Sequence, residues 1–192
     1  YKRQGSSADS FVGYTAASTA AATSALTNVG RGSGNTATFD MSAGGNNTYV
    51  AGDEAAKSDG SIVYTGGSDD DNLTLGYELA YDGTATFDMS LGGNNAFVAG
   101  SSAAESGLLS YTGGSGNDSL TFGDNLANYG GTATFDMSAG GNNTFVADEN
   151  AAIGFGSLSY TGGSGDDSLT FGDNLASYGG TATFDMSAGG NN

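Results

Sequence analysis

The chain contains no cysteine, no histidine, no proline and no tryptophan. Without cysteine there are no disulfides and no thiolate metal ligands. With histidine gone too, the commonest general base and the thiol nucleophile are both missing. Positive charge is nearly absent: four Lys and Arg stand against 21 Asp and Glu, a net charge of −17. Lys2, Arg3 and Arg31 all fall in the first 31 residues. Such a surface repels phosphate backbones and anionic membranes, which excludes nucleic acid as a partner. Long apolar runs are lacking as well. No segment reaches the ~18 residues of a membrane helix, so membrane insertion is not expected. Phe11–Leu26 is broken by Ser and Thr and has no apolar centre like that of a signal peptide.

What is present is glycine, 35 residues of 192, without the three-residue period of collagen. Charged residues make up 13% and hydrophobic residues 37%, a balance unlike that of a disordered acidic tail. The heptapeptide TATFDMS begins at Thr36, Thr84, Thr132 and Thr181. A second unit, YTGGS, begins at Tyr64, Tyr111 and Tyr160. Aligned on their aromatic residues, Phe39, Tyr64, Phe87, Tyr111, Phe135, Tyr160 and Phe184 recur at gaps of 25, 23, 24, 24, 25 and 24 residues. The repeating unit is therefore about 24 residues long, in two alternating flavours.

Around each aromatic the pattern has period 2. Ala37, Ile62, Ala85, Leu109, Ala133, Leu158 and Ala182 stand two positions before it, with hydroxyl residues between. That alternation marks a strand with one face buried. After a Gly/Asn/Asp turn, a second short strand is anchored eleven residues past the aromatic, at Val50, Leu75, Val98, Phe122, Val146 and Phe171. A third apolar spot follows, as at Leu79 and Leu126 or Ala55 and Ala103. A lone unit cannot bury these faces, whereas stacked units can. The predicted fold is all-β: a right-handed parallel β-solenoid of about seven coils, roughly 30–35 Å long at ~4.8 Å per coil. Large residues of one flavour meet small ones of the other, and Asp40, Asp88, Asp136 and Asp185 are separated by Thr65, Thr112 and Thr161.

Residues 1–13 read as a basic arm, 14–35 as a degenerate capping coil anchored on Tyr14, and 36–192 as the repeat array. The chain begins at Tyr1 rather than Met and stops in mid-turn at Asn192, so a further coil is expected beyond it. That coil comes from a continuation of the array or from another copy of the chain.

Gly113–Thr121 (GGSGNDSLT) and Gly162–Thr170 (GGSGDDSLT) fit the nonapeptide G-G-x-G-x-D-x-U-x, and Gly66–Thr74 fits except at Asp69. Through these motifs the chain resembles RTX, or haemolysin-type, calcium-binding repeat proteins. The resemblance implies a parallel β-roll, secretion or surface display, and Ca²⁺ held between turns. Carried over, its carboxylate ligands would be Asp71, Asp118 and Asp167. The family's motifs run in tandem. Here each alternates with a carboxylate-free GGNN turn (Gly44–Asn47, Gly92–Asn95, Gly140–Asn143). Tight turns by themselves also call for Gly, Asn and Asp.

No catalytic constellation emerges. Nothing orients Lys2 or Lys57 toward a serine, and GGSG around Ser115 and Ser164 lacks the nucleophile-elbow spacing. The pairs Asp70/Asp71 and Asp166/Asp167 recur with the repeat, as turn residues do. The expectation is a non-enzymatic structural rod, fibre or shell element, extracellular or on a cell or virus surface. Two alternatives are a Ca²⁺-dependent adhesin and an ice binder. The second rests on the Thr36/Thr38, Thr84/Thr86 and Thr132/Thr134 pairs, which resemble those of β-helical ice-binding proteins, although Ser61/Val63, Leu108/Ser110 and Ser157/Ser159 interrupt them.

Overall fold

Among the described residues, strands occur in every coil and helices in none. The structure is a computed structural model that describes residues 9–12 and 29–191. The first strands are β1 (Asp9–Val12), β2 (Thr36–Asp40), β3 (Thr48–Ala51), β4 (Ser61–Thr65), β5 (Asn72–Leu75), β6 (Thr84–Asp88) and β7 (Ala96–Ala99). Then come β8 (Leu108–Thr112), β9 (Ser119–Phe122), β10 (Thr132–Asp136), β11 (Thr144–Ala147), β12 (Ser157–Thr161), β13 (Ser168–Phe171) and β14 (Thr181–Asp185). One parallel sheet runs β1-β2-β4-β6-β8-β10-β12-β14, and the other runs β3-β5-β7-β9-β11-β13. The chain is a β-solenoid: six two-strand coils follow Thr36, and β14 opens a seventh. No helix among the described residues is long and apolar enough to cross a membrane.

Register in the first sheet is the one the repeat dictates. Phe39, Tyr64, Phe87, Tyr111, Phe135, Tyr160 and Phe184 lie level with one another, coil after coil. Ala85 and Ala133 each lie between larger residues, Ile62 and Leu109, and Leu109 and Leu158. Met89 and Met137 fill the space that Gly66 and Gly113 leave open. Large against small is thus how the narrow interior is filled. Asp40 and Asp88 flank Thr65 in register, so like charges are not direct neighbours.

The second sheet departs from expectation in half of its strands. Tyr49, Phe97 and Phe145 are buried, together with Ala51, Ala99 and Ala147. Val50, Val98 and Val146, the expected anchors, face outward, and Val98 is 43% exposed. The reason is loop length. Tyr49 pairs with Leu73, ten residues past Phe39 against nine past Tyr64, so the GGNN turn is one residue longer than the GGSGDD turn. One added residue sends every following side chain to the other face. Leu75, Phe122 and Phe171 keep their inward positions. The correction adds aromatics to the core, each worth ~1.5–3 kcal/mol when fully buried. Their rings join the two sheets: Phe97 lies 4.8 Å from Phe87 and 5.5 Å from Tyr111, and Phe145 lies 4.8 Å from Phe135.

A third side closes each coil without strands. It is built from residues with left-handed backbone at alternate positions, such as Glu78, Ala80 and Asp82 at φ of 58°, 55° and 48°. Its N–H groups bond from coil to coil, as from Ala80 to the Ala55 carbonyl (2.8 Å) and from Ala104 to that of Leu79 (2.8 Å). Leu79, Leu126 and the neighbouring alanines fill its inner surface.

At the amino-terminal end, Phe11 of β1 lies level with Phe39. That strand falls within the segment expected to be a basic arm, and Tyr14, expected to anchor the first coil, lies outside the described residues. Arg31 and Lys57 bind Glu54, and Lys57 also binds Glu78, tying adjacent coils together.

Candidate functional site

The turn between the two sheets carries the motif acids. It is organised as two files of side chains that bond along the solenoid. In the inner file the backbone N–H of Asn47 donates to Asp71 Oδ1 (2.9 Å), and that of Asp71 to Asn95 Oδ1 (3.0 Å). Asn95 then donates to Asp118 Oδ1 (2.9 Å), Asp118 to Asn143 Oδ1 (2.9 Å), and Asn143 to Asp167 Oδ1 (2.9 Å). Each asparagine also directs its side-chain amide to the same aspartate oxygen, at 2.8 to 3.0 Å. All these residues are buried. A buried carboxylate needs donors, and the turn supplies them to Oδ1 of all three aspartates, whereas Oδ2 of Asp118 lies buried without a hydrogen bond.

The outer file runs the opposite way. Asn191 donates its N–H back to Asp166, Asp166 to Asn142, Asn142 to Asn117, Asn117 to Asn94, and Asn94 to Asp70, at 2.6 to 2.9 Å. Adjacent residues of one Asn/Asp doublet therefore bond in opposite directions along the axis, and every coil is tied to both neighbours. The turn glycines fit the same stacking. A Cβ on Gly116 would sit 1.8 Å from the Gly93 carbonyl oxygen, and one on Gly141 would sit 1.8 Å from that of Gly116. In these later coils the third glycine lets the turns stack closely, whereas the first motif carries Asp69 there, which accepts a hydrogen bond from the Gly45 N–H (2.7 Å).

The structure does not bring Asp71, Asp118 and Asp167 together. They occupy alternate coils, ~10 Å apart at ~4.8 Å per coil, with Asn95 and Asn143 between them. Ca²⁺ takes six to eight oxygen ligands. Here Oδ1 of each aspartate already faces two N–H donors of an asparagine, groups that repel a cation. No cluster of three or more potential metal-ligating His, Cys, Asp or Glu residues forms among the described residues. Each of the three residues that the RTX resemblance singles out thus stands in its own coil, with its Oδ1 taken by asparagine donors.

Their chemistry is that of buried acids. Burial pushes the Asp118 carboxyl up to about 6, against the opposing pull of hydrogen bonds from Asn95. Asp71 is raised for the same reason, with the Asn47 donors opposing. The hydroxyls of Tyr64, Tyr111 and Tyr160 lie against Asp71, Asp118 and Asp167, and burial followed by the adjacent carboxylate drives those phenols well above their ordinary range. The YTGGS flavour thus places a tyrosine and an aspartate seven residues apart, side by side in the interior.

One surface feature went unrecognised in the sequence. On the third side of the later coils, Tyr129, Phe155 and Tyr178 are 68%, 81% and 84% exposed. All three have left-handed backbone, at φ of 50°, 67° and 52°. Asn125, Asn150 and Asn174 form a second file beside them, and Asn174 donates its amide to Asn150 Oδ1 (3.0 Å). The segments Asn125–Gly130 and Asn174–Gly179 share the spelling N-L-A-x-Y-G, a signal visible in the sequence but hidden by alignment on the aromatic core.

Comparison with protein-family models, characterised proteins and solved structures yields no match to this chain. Fold and site geometry alone carry the functional reading.

Proposed function

We propose that the chain is a non-enzymatic architectural element: a rigid rod displayed outside a cell or on a virus particle. The observation that carries this reading is the unbroken inter-coil bonding on all three sides, two parallel sheets and a stacked third side, with two side-chain files at one corner. Repetition of this kind adds length and stiffness without adding a distinct reactive constellation. The candidate acids agree with that role, because they serve as acceptors within the stack. Lys57 is held by Glu54 and Glu78, and no serine is hydrogen-bonded to it in the described network.

The rod's partners are further coils. Coils of one design stack by the same parallel pairing throughout the described array, and coils of a longer array or of another copy would stack in the same way. Protease shaving and immunogold labelling of intact producing cells or particles test the placement. Surface label and protease sensitivity are expected. Recovery of the protein only from the cell interior, monomeric at all concentrations, overturns the reading. Excision of residues 84–131, one coil pair, tests the architecture. The shortened protein should fold and lose ~10 Å of length by small-angle scattering.

A further inference from the structure

We propose that the face carrying Tyr129, Phe155 and Tyr178 is a binding site for a neutral, linear polysaccharide. At the position of Tyr129 and Tyr178 the earlier coils carry Ser58, Asp82 and Ser106, also left-handed, at φ of 59°, 48° and 55°, and the coil between them carries Gly154, with Phe155 following it as Asp59 follows Ser58. Folding therefore does not need aromatics there. A side chain in left-handed backbone costs ~1–2 kcal/mol, and a ring left in water recovers nothing from burial. Three such rings in three successive coils accumulate both costs, and exposed apolar surface of this kind marks a binding site.

The rings rest on places made for them. A Cβ on Gly154 would lie 3.3 Å from the Tyr129 ring, and one on Gly179 would lie 2.9 Å from the Phe155 ring. The Tyr129 and Phe155 rings thus each lie against a glycine of the next coil, where a side chain would displace them. The groove between Tyr129 and Tyr178, about 320 Å³, is lined by them and by Asn125, Asn128, Asn150, Ile153 and Gly154.

The lining identifies the ligand class. None of those side chains is charged, in a chain of net charge −17. A cationic partner would be drawn to the acidic faces instead. Aromatic faces attract polarised C–H groups, which a pyranose ring presents on its flat side. Its hydroxyls need donors and acceptors at the edge, and an amide offers two donors and an acceptor. The amide file repeats at ~4.8 Å per coil, whereas Tyr129 and Tyr178 share one position two coils apart, with Phe155 one residue off that file between them, so one extended sugar chain can reach all three rings. The earlier coils carry Glu54, Glu78 and Ser102 where the later ones carry asparagine, which confines the site to the later coils.

The test titrates the full chain with hexasaccharides of β-1,4-glucose, α-1,4-glucose, β-1,4-mannose and β-1,4-N-acetylglucosamine, followed by calorimetry and tyrosine fluorescence. At least one should bind saturably. Its NMR shift changes on the unmutated chain should centre on Tyr129–Tyr178. The Y129S/F155S/Y178S variant adopts the solution of the first coils, so it should melt no lower than wild type and bind at least tenfold more weakly. The proposal is overturned if no hexasaccharide binds, if the shifts lie elsewhere, or if the variant binds like wild type. Sedimentation showing that wild type self-associates and the variant does not also overturns it, by assigning the face to a second copy. None of these outcomes depends on where the rod is displayed.

Discussion

Asn95 gives both its backbone N–H and its side-chain amide to a single oxygen of Asp118, at 2.9 and 3.0 Å, one coil further along. The carboxylate that a motif comparison marks as a calcium ligand is therefore the acceptor that ties two coils together. It is held in a place where its negative charge is poorly solvated.

That burial has a pH signature. The folded pKa of Asp118, about 6, lies above its ordinary 3.8, so folding favours the protonated acid. Its contribution to stability is complete below pH 3.8 and is lost as pH rises through about 6. At ~1.4 kcal/mol per pH unit, up to ~3 kcal/mol is involved. Asp118→Asn, which installs the residue that neighbouring coils use there, should stabilise the protein at pH 7 and leave stability at pH 4 nearly unchanged. Urea melts of both proteins from pH 4 to 8 measure the difference. Equal pH slopes would show that Asp118 is not the group responsible.

Stacking, rather than turn conformation alone, should govern the glycines. Gly116→Ala drives a methyl into the Gly93 carbonyl and should cost more than ~3 kcal/mol or prevent folding. Gly130→Ala meets nothing within 4 Å and carries only the left-handed penalty of ~1–2 kcal/mol, at φ +82°. Thermal melts of the two variants should differ widely.

The core should obey a rule of large against small. Ala133 lies level with Leu109 on one side and Leu158 on the other. Ala133→Leu should lose ~1–3 kcal/mol by overpacking and Leu109→Ala ~2–5 kcal/mol by cavity formation. The double variant should cost less than the two losses added, because a small residue again faces a large one. A double-mutant cycle reads the coupling.

Chelation provides a direct check on the motif acids. Because the donors around Asp71, Asp118 and Asp167 are N–H groups, EDTA should leave the melting temperature unchanged, and millimolar Ca²⁺ should not raise it through these residues. A calcium-dependent rise that disappears in Asp118→Asn would contradict the geometry described above.

Much of this molecule is legible in its sequence because a repeat converts local spelling into tertiary contact. Once coils stack at a fixed period, Phe87 must lie level with Tyr111, and Asp88 must alternate with Thr112. The first strand of each coil, the alternation of flavours and the absence of helix all follow from periodicity alone.

Three things were decided only in three dimensions. The one-residue difference between GGNN and GGSGDD turns placed Phe97 inside and Val98 outside, and strand pairing alone settles how a turn spends its extra residue. The role of Asp118 was set by what the preceding coil aims at it, from Asn95, 23 residues away in sequence, and the motif itself does not contain that neighbour. The exposure of Tyr129, Phe155 and Tyr178 arose because left-handed backbone on the third side turns their side chains outward, and no two-residue or helical period announces that direction. Period and composition fixed which residues stack. Backbone handedness and loop length decided which way they point.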